Sequence, residues 1–84
     1  MDSTYFNEKY KEYLEEGHYG LAISNPDVVV FLEDMFDRVL TKVPDFKYSQ
    51  IKLKFGKCRI YTNLNSPTLE HIMEMHINNL INKK

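Results

Sequence analysis

The chain has 84 residues, 43% of them hydrophobic and 27% charged, with a formal net charge of −1. This is ordinary globular usage for one small domain over residues 1–84, and the overall acidity argues against strong non-specific DNA binding. The single cysteine, Cys58, excludes an intrachain disulfide and a multi-cysteine zinc site and suits a reducing compartment.

No apolar run reaches the length of a membrane span, and the N-terminal stretch MDSTYFNEKYKEYLEEG lacks the apolar core of a secretory signal. The expectation is a cytoplasmic protein with no membrane contact. A domain this small is marginally stable alone, so a homodimer is one expected arrangement. The charge is unevenly spread. Residues 1–45 carry ten acids against four bases, whereas residues 46–62 carry five bases and no acid. Such polarity biases partner choice more than fold.

Chain order gives the elements. A first helix is predicted from about Tyr5 to Glu16, capped by Ser3 or Thr4. Phe6, Tyr10, Tyr13 and Leu14 lie on one of its faces, and Gly17 stops it. The stretch His18–Ser24 is broken by Gly20, and Leu21-Ala22-Ile23 reads either as a short strand or as a buried connector. Asn25-Pro26-Asp27 opens a second helix, whose apolar stripe runs from Val28 to Val43 and which Pro44 ends.

The segment Tyr48–Thr62, YSQIKLKFGKCRIYT, alternates apolar and basic residues around Gly56 and reads as a β-hairpin. A two-residue Gly56-Lys57 turn with Gly first would be type II′. It pairs Phe55 with Cys58, Leu53 with Ile60 and Ile51 with Thr62 on an inner face, leaving Lys52, Lys54, Arg59 and Tyr61 outside. Ser66-Pro67 opens the last helix, with Leu69, Ile72, Met73, His76, Ile77, Leu80 and Ile81 as its stripe. The fold class is α+β, a small α-α-β-β-α domain with an antiparallel hairpin covered on one face by helices. The two ends and the loop Asn63–Asn65 are the expected mobile parts.

The run Gln50–Tyr61 resembles a motif of small phage and prophage proteins, in which a helix leads into a hairpin reading roughly Val-Lys-Glu-Lys-Phe-Gly-Gly-Leu-Arg-Phe-Tyr. Lys52, Lys54, Phe55, Gly56, Arg59 and Tyr61 carry the match, and the Gly17–Gly20 region with the second helix is similar to the family's lead-in. Leu53, Lys57, Cys58 and Ile60 depart from it, and the cysteine pair that follows in many members is missing here. The resemblance implies a phage or mobile-element origin and no particular activity.

Three groups of residues are candidates for function. The hairpin's outer face, Lys52, Lys54, Lys57, Arg59 and Tyr61, offers cations for phosphates or carboxylates and a ring for stacking. The alternative is a solvated sheet face whose lysines block aggregation. The acidic helices offer Glu12, Glu15, Glu33, Asp34 and Asp37 to a basic partner, or are plain solvated faces. Tyr5, Tyr10, Tyr13 and Tyr19 are either interface aromatics or core filler.

His71 and His76 are five apart, which turns them to different sides of a helix, so neither metal nor cofactor is expected. His76 falls in the apolar stripe and reads as a core or interface histidine. Cys58, beside Phe55 on the inner face, reads as a small hydrophobe. No pair of groups is spaced for proton transfer or nucleophilic attack, so an enzyme is not expected. The resulting expectation is a binding protein that occludes a surface of a host protein or complex, of anti-defence (anti-CRISPR-like) type. Its competitor is a nucleic-acid or nucleotide binder using the basic hairpin face.

Overall fold

The computed structural model describes residues 2–64 and 66–82, so the expectation of mobility at Asn65 and at the extreme ends lies outside the described residues. Asn63 is described and is tied down. It exchanges backbone and side-chain hydrogen bonds with Lys47 and donates to the Asp45 carbonyl.

The first helix, α1, spans Ser3–Lys9 rather than reaching Glu16, and it is capped by Asp2, whose carboxylate accepts from the Tyr5 N–H at 2.9 Å. A 3-10 turn at Lys11–Tyr13 follows. The helix stops early because the chain beyond it is recruited by the sheet. Leu14 bridges to Tyr48, and the Glu15 N–H donates to the Tyr48 carbonyl at 2.9 Å. Tertiary pairing overrides the helical pattern of residues 10–16.

Gly20–Leu21 is a strand, β1, so of Leu21-Ala22-Ile23 only Leu21 lies in a strand, and Ile23 is buried beyond it. Helix α2 spans Pro26–Lys42, with Asn25 accepting from the Asp27 and Val28 N–H groups. Strands β2 (Tyr48–Lys54) and β3 (Lys57–Thr62) form the hairpin, and α3 spans Pro67–Asn82. The strand order is β1-β2-β3, with β1 parallel to β2 and β3 antiparallel to it. The domain is α+β, but its sheet has three strands rather than the hairpin alone, because a βαβ unit through α2 adds the edge strand β1.

The hairpin register differs from the sequence expectation. The turn is Phe55-Gly56, with φ of 54° and 76°, and Lys54 pairs with Lys57, Leu53 with Cys58, Lys52 with Arg59 and Ile51 with Ile60. Two positive φ values make this a type I′ turn, whose twist matches that of the strands. The shift moves the pairing by two residues in sum and so keeps side-chain parity. Ile51, Cys58 and Ile60 are buried as expected, whereas Phe55 leaves the inner face for the tip and Lys57 leaves the turn for the outer face.

A bulge between Tyr48 and Gln50 has a second effect. The extra residue, Ser49, lets Tyr48 and Ile51 both point inward although they are three apart. The core beneath the sheet is aromatic. Phe36 lies edge-on to Phe6, Phe46 and Tyr48 at centroid distances of 5.0, 5.0 and 5.1 Å. Burial pushes the Tyr48 phenol up to about 12, and its hydroxyl donates to the Asn7 side-chain oxygen at 3.0 Å.

Candidate functional site

The helices cover one face of the sheet, and the other is open. On the open face, register alone sets Lys54 against Lys57, Lys52 against Arg59 and Gln50 against Tyr61. Two successive cross-strand pairs are therefore cation against cation. Among the described residues the ion pairs are Lys9–Glu33, Lys11–Glu8 and Arg38–Asp34, so no carboxylate neutralises the hairpin. Like charges directly opposite are destabilising, so this face is not arranged for stability.

Two aromatic rings bracket the cations. Phe55 at the tip is 94% exposed and sits in the left-handed region, unusual for a bulky residue, with the Lys54 ammonium 5.9 Å from its ring centroid. Leu53, expected inside, is 45% exposed because it lies on the way to this uncovered tip. At the other end Tyr61 is half-exposed and forms one wall of a shallow hollow of about 360 Å³, completed by His18, Ser49, Gln50 and Lys52. The bulge turns Ser49 and Gln50 toward this hollow. The loop bearing His18 is fixed by Gly17 and Gly20, both at positive φ (83° and 77°).

Three of the acidic candidates, Glu33, Asp34 and Asp37, lie on α2, and two of these are engaged internally. The Glu33 carboxylate receives the Lys9 ammonium at 2.7 Å and the Tyr5 hydroxyl at 2.5 Å. Those bonds, that from Lys9 first, hold its carboxyl below the usual range. Asp37 accepts from the Tyr10 hydroxyl at 2.7 Å. Asp34 pairs with Arg38 on the surface, Glu12 offers its backbone carbonyl to Lys47, and Glu15 leaves the helix for the bridge to Tyr48.

The tyrosines divide similarly. Tyr10, 3% exposed, is a core ring and cannot be an interface aromatic as it stands. Burial, then its bond to Asp37, raises its phenol far above the ordinary value. Tyr13 is half-buried against the core, Tyr5 is committed to Glu33, and Tyr19 stands 84% exposed in the glycine-flanked loop. His76, read as a core or interface histidine, is not in the core but is an exposed ring stacked on Phe31 of α2 at 4.2 Å. Cys58 is buried, and burial followed by the nearby Glu74 charge pushes its thiol up to about 12. Among the described residues no group of three His, Cys, Asp or Glu could hold a metal ion, and no helix is long and apolar enough to cross a membrane.

The outward backbone groups of β3 and of β1 are met by side chains that the sequence did not single out. On β3 the outward N–H groups of Cys58, Ile60 and Thr62 donate to Asn78, Glu74 and Glu70 of α3 at 2.7, 2.9 and 3.2 Å. The match is geometric: four helical residues rise about 6 Å and two strand residues about 6.7 Å. On β1 the Asn7 amide donates to the Leu21 carbonyl and accepts from the Leu21 N–H, as a neighbouring strand would. Alternate strand positions against helix positions four apart were the signal, visible only once β3 is known to be an edge.

No protein-family model, curated protein or solved structure matches the chain.

Proposed function

We propose that this chain is a non-enzymatic binding protein that works by laying the open face of its sheet against an anionic surface of a partner protein and occluding it. One observation carries the reading: Lys54 opposite Lys57 and Lys52 opposite Arg59, with no carboxylate beside them among the described residues. An arrangement that costs the fold stability is explained if an external anion completes it. The exposed Phe55 and Leu53 add apolar area at the tip. Net acidity favours a protein partner over duplex DNA. The phage-like hairpin makes a host defence complex the sharpest version of the partner.

Capture from a nuclease-treated bacterial lysate tests the reading. Wild type retains a protein that the Lys52→Glu/Lys54→Glu/Arg59→Glu variant loses and a Glu12→Lys/Asp34→Lys variant keeps. Equal retention by the first variant, or loss in the second alone, overturns it.

A further inference from the structure

We infer that the hollow at the base of the open face is a nucleotide site, taking an aromatic base against Tyr61 with its phosphate at the Lys52–Arg59 pair. This goes beyond the protein-docking reading and does not depend on it, and the two compete for the same cations, Lys52 and Arg59. The hollow falls within the size range of small-ligand pockets, at about 360 Å³. Its lining divides by chemistry. Tyr61 offers the face of a half-exposed ring, and His18 a second aromatic wall. Ser49 and Gln50 supply a hydroxyl and an amide, groups that both donate and accept and therefore suit the edge of a base.

Lys52 lies at the rim, with Arg59 directly across the strands, and neither has a carboxylate partner among the described residues. The phosphate supplies the missing negative charge. A nucleotide joins a flat ring to an anion on this scale, since the Gln50–Tyr61 and Lys52–Arg59 rungs, two residues apart on one face, are about 6.7 Å apart along the strand. A sugar or a simple carboxylate would leave the ring or the cations unused. The base must be unpaired, because a duplex hides the ring faces that Tyr61 would stack on.

The same base and phosphate could come from a free nucleotide or from a single strand. A strand would continue over Lys54 and Lys57 toward Phe55, whereas a free nucleotide would stop at Arg59. The two sources differ in what the outer rung and the tip contribute.

The test is a titration of isotope-labelled protein with UMP, AMP, oligothymidylate and inorganic phosphate, followed by backbone-amide NMR. The expected result is a saturable shift of Ser49, Gln50, Lys52 and Tyr61 with the nucleotides, and binding at least tenfold tighter than that of inorganic phosphate. Tyr61→Ala loses roughly tenfold in nucleotide affinity, and Tyr61→Phe keeps it. Tighter binding of oligothymidylate that Lys54→Glu/Lys57→Glu removes identifies the source as a single strand. Equal affinity for UMP and oligothymidylate identifies a free nucleotide. Phe55→Asn separates binding from folding. It places Asn-Gly in a type I′ turn, so the protein melts at a higher temperature while any strand affinity falls. Nucleotides that shift none of these amides overturn the inference. So does binding no tighter than that of inorganic phosphate and indifferent to Tyr61→Ala, since the face would then attract anions without recognising a base. Either failure leaves the lysate experiment above standing.

Discussion

Lys52 lies directly across the hairpin from Arg59, on a face that no helix covers. Changing Arg59 to Glu turns a like-charge pair into an opposite-charge pair. The expected result is a gain of roughly 0.2–1 kcal/mol in unfolding free energy, read by urea denaturation at low salt and shrinking as salt is added. A loss of stability would mean that the two cations are already compensated.

Gly20 and Gly17 share a left-handed backbone but differ in their surroundings. A Cβ at Gly20 would stand 2.5 Å from the Asn7 side-chain oxygen, which is held by the Leu21 N–H and the Tyr48 hydroxyl. A Cβ at Gly17 would meet nothing within 4 Å. Gly20→Ala is expected to cost roughly 2–3 kcal/mol and Gly17→Ala about 1 kcal/mol, because only the first adds a clash to the backbone strain. Chemical denaturation of the two variants checks the order.

Glu74 holds the centre of the β3 edge through the Ile60 N–H. Glu74→Ala is expected to cost roughly 1 kcal/mol, since a half-buried donor loses its acceptor. The double change Glu70→Leu/Glu74→Leu uncovers two N–H groups and removes two charges beside them, so association is expected in light scattering at concentrations where wild type shows no change.

The Lys9–Glu33–Tyr5 cluster ties α1 to α2. Because the Glu33 carboxyl is held below its ordinary value of 4.5, first by Lys9 and then by Tyr5, its contribution is complete above about pH 4.5. It is lost as pH falls through the lower folded value. Glu33→Gln should therefore flatten the acid limb of the stability profile, while wild type and variant stay parallel near neutrality. Parallel acid limbs would show that the cluster does not couple to folding.

Much of this architecture was legible in the sequence, for local reasons. Asn25-Pro26 and Pro44 bracket α2, and alternation over Ile51–Ile60 fixes which side of the hairpin is buried whichever two-residue turn is used. What alternation cannot reveal is a bulge. Counting back from Ile51 puts Tyr48 outside, whereas Ser49 interrupts the period and Tyr48 becomes one of the largest buried side chains. The end of α1 was likewise hidden, because Leu14 and Glu15 leave the helix for a bridge to a residue more than thirty positions away. The cationic face could be read from residue order, but its run of two successive cation pairs could not. It follows from the turn at Phe55-Gly56, where a bulky residue takes the position that asparagine usually fills. The side-chain bonds to the outward groups of β3 and β1 depend on which strands are outermost, a property of topology rather than of any local run.

Placing a photo-crosslinking benzoylphenylalanine at Tyr61, and separately at Asp34 on the acidic helix, asks most directly which surface meets a partner in cells expressing the protein. A discrete protein adduct is expected from position 61, abolished by Lys52→Glu/Arg59→Glu, and none from position 34. Adducts from position 34 with position 61 silent would place the working surface on α2 and contradict docking through the open face.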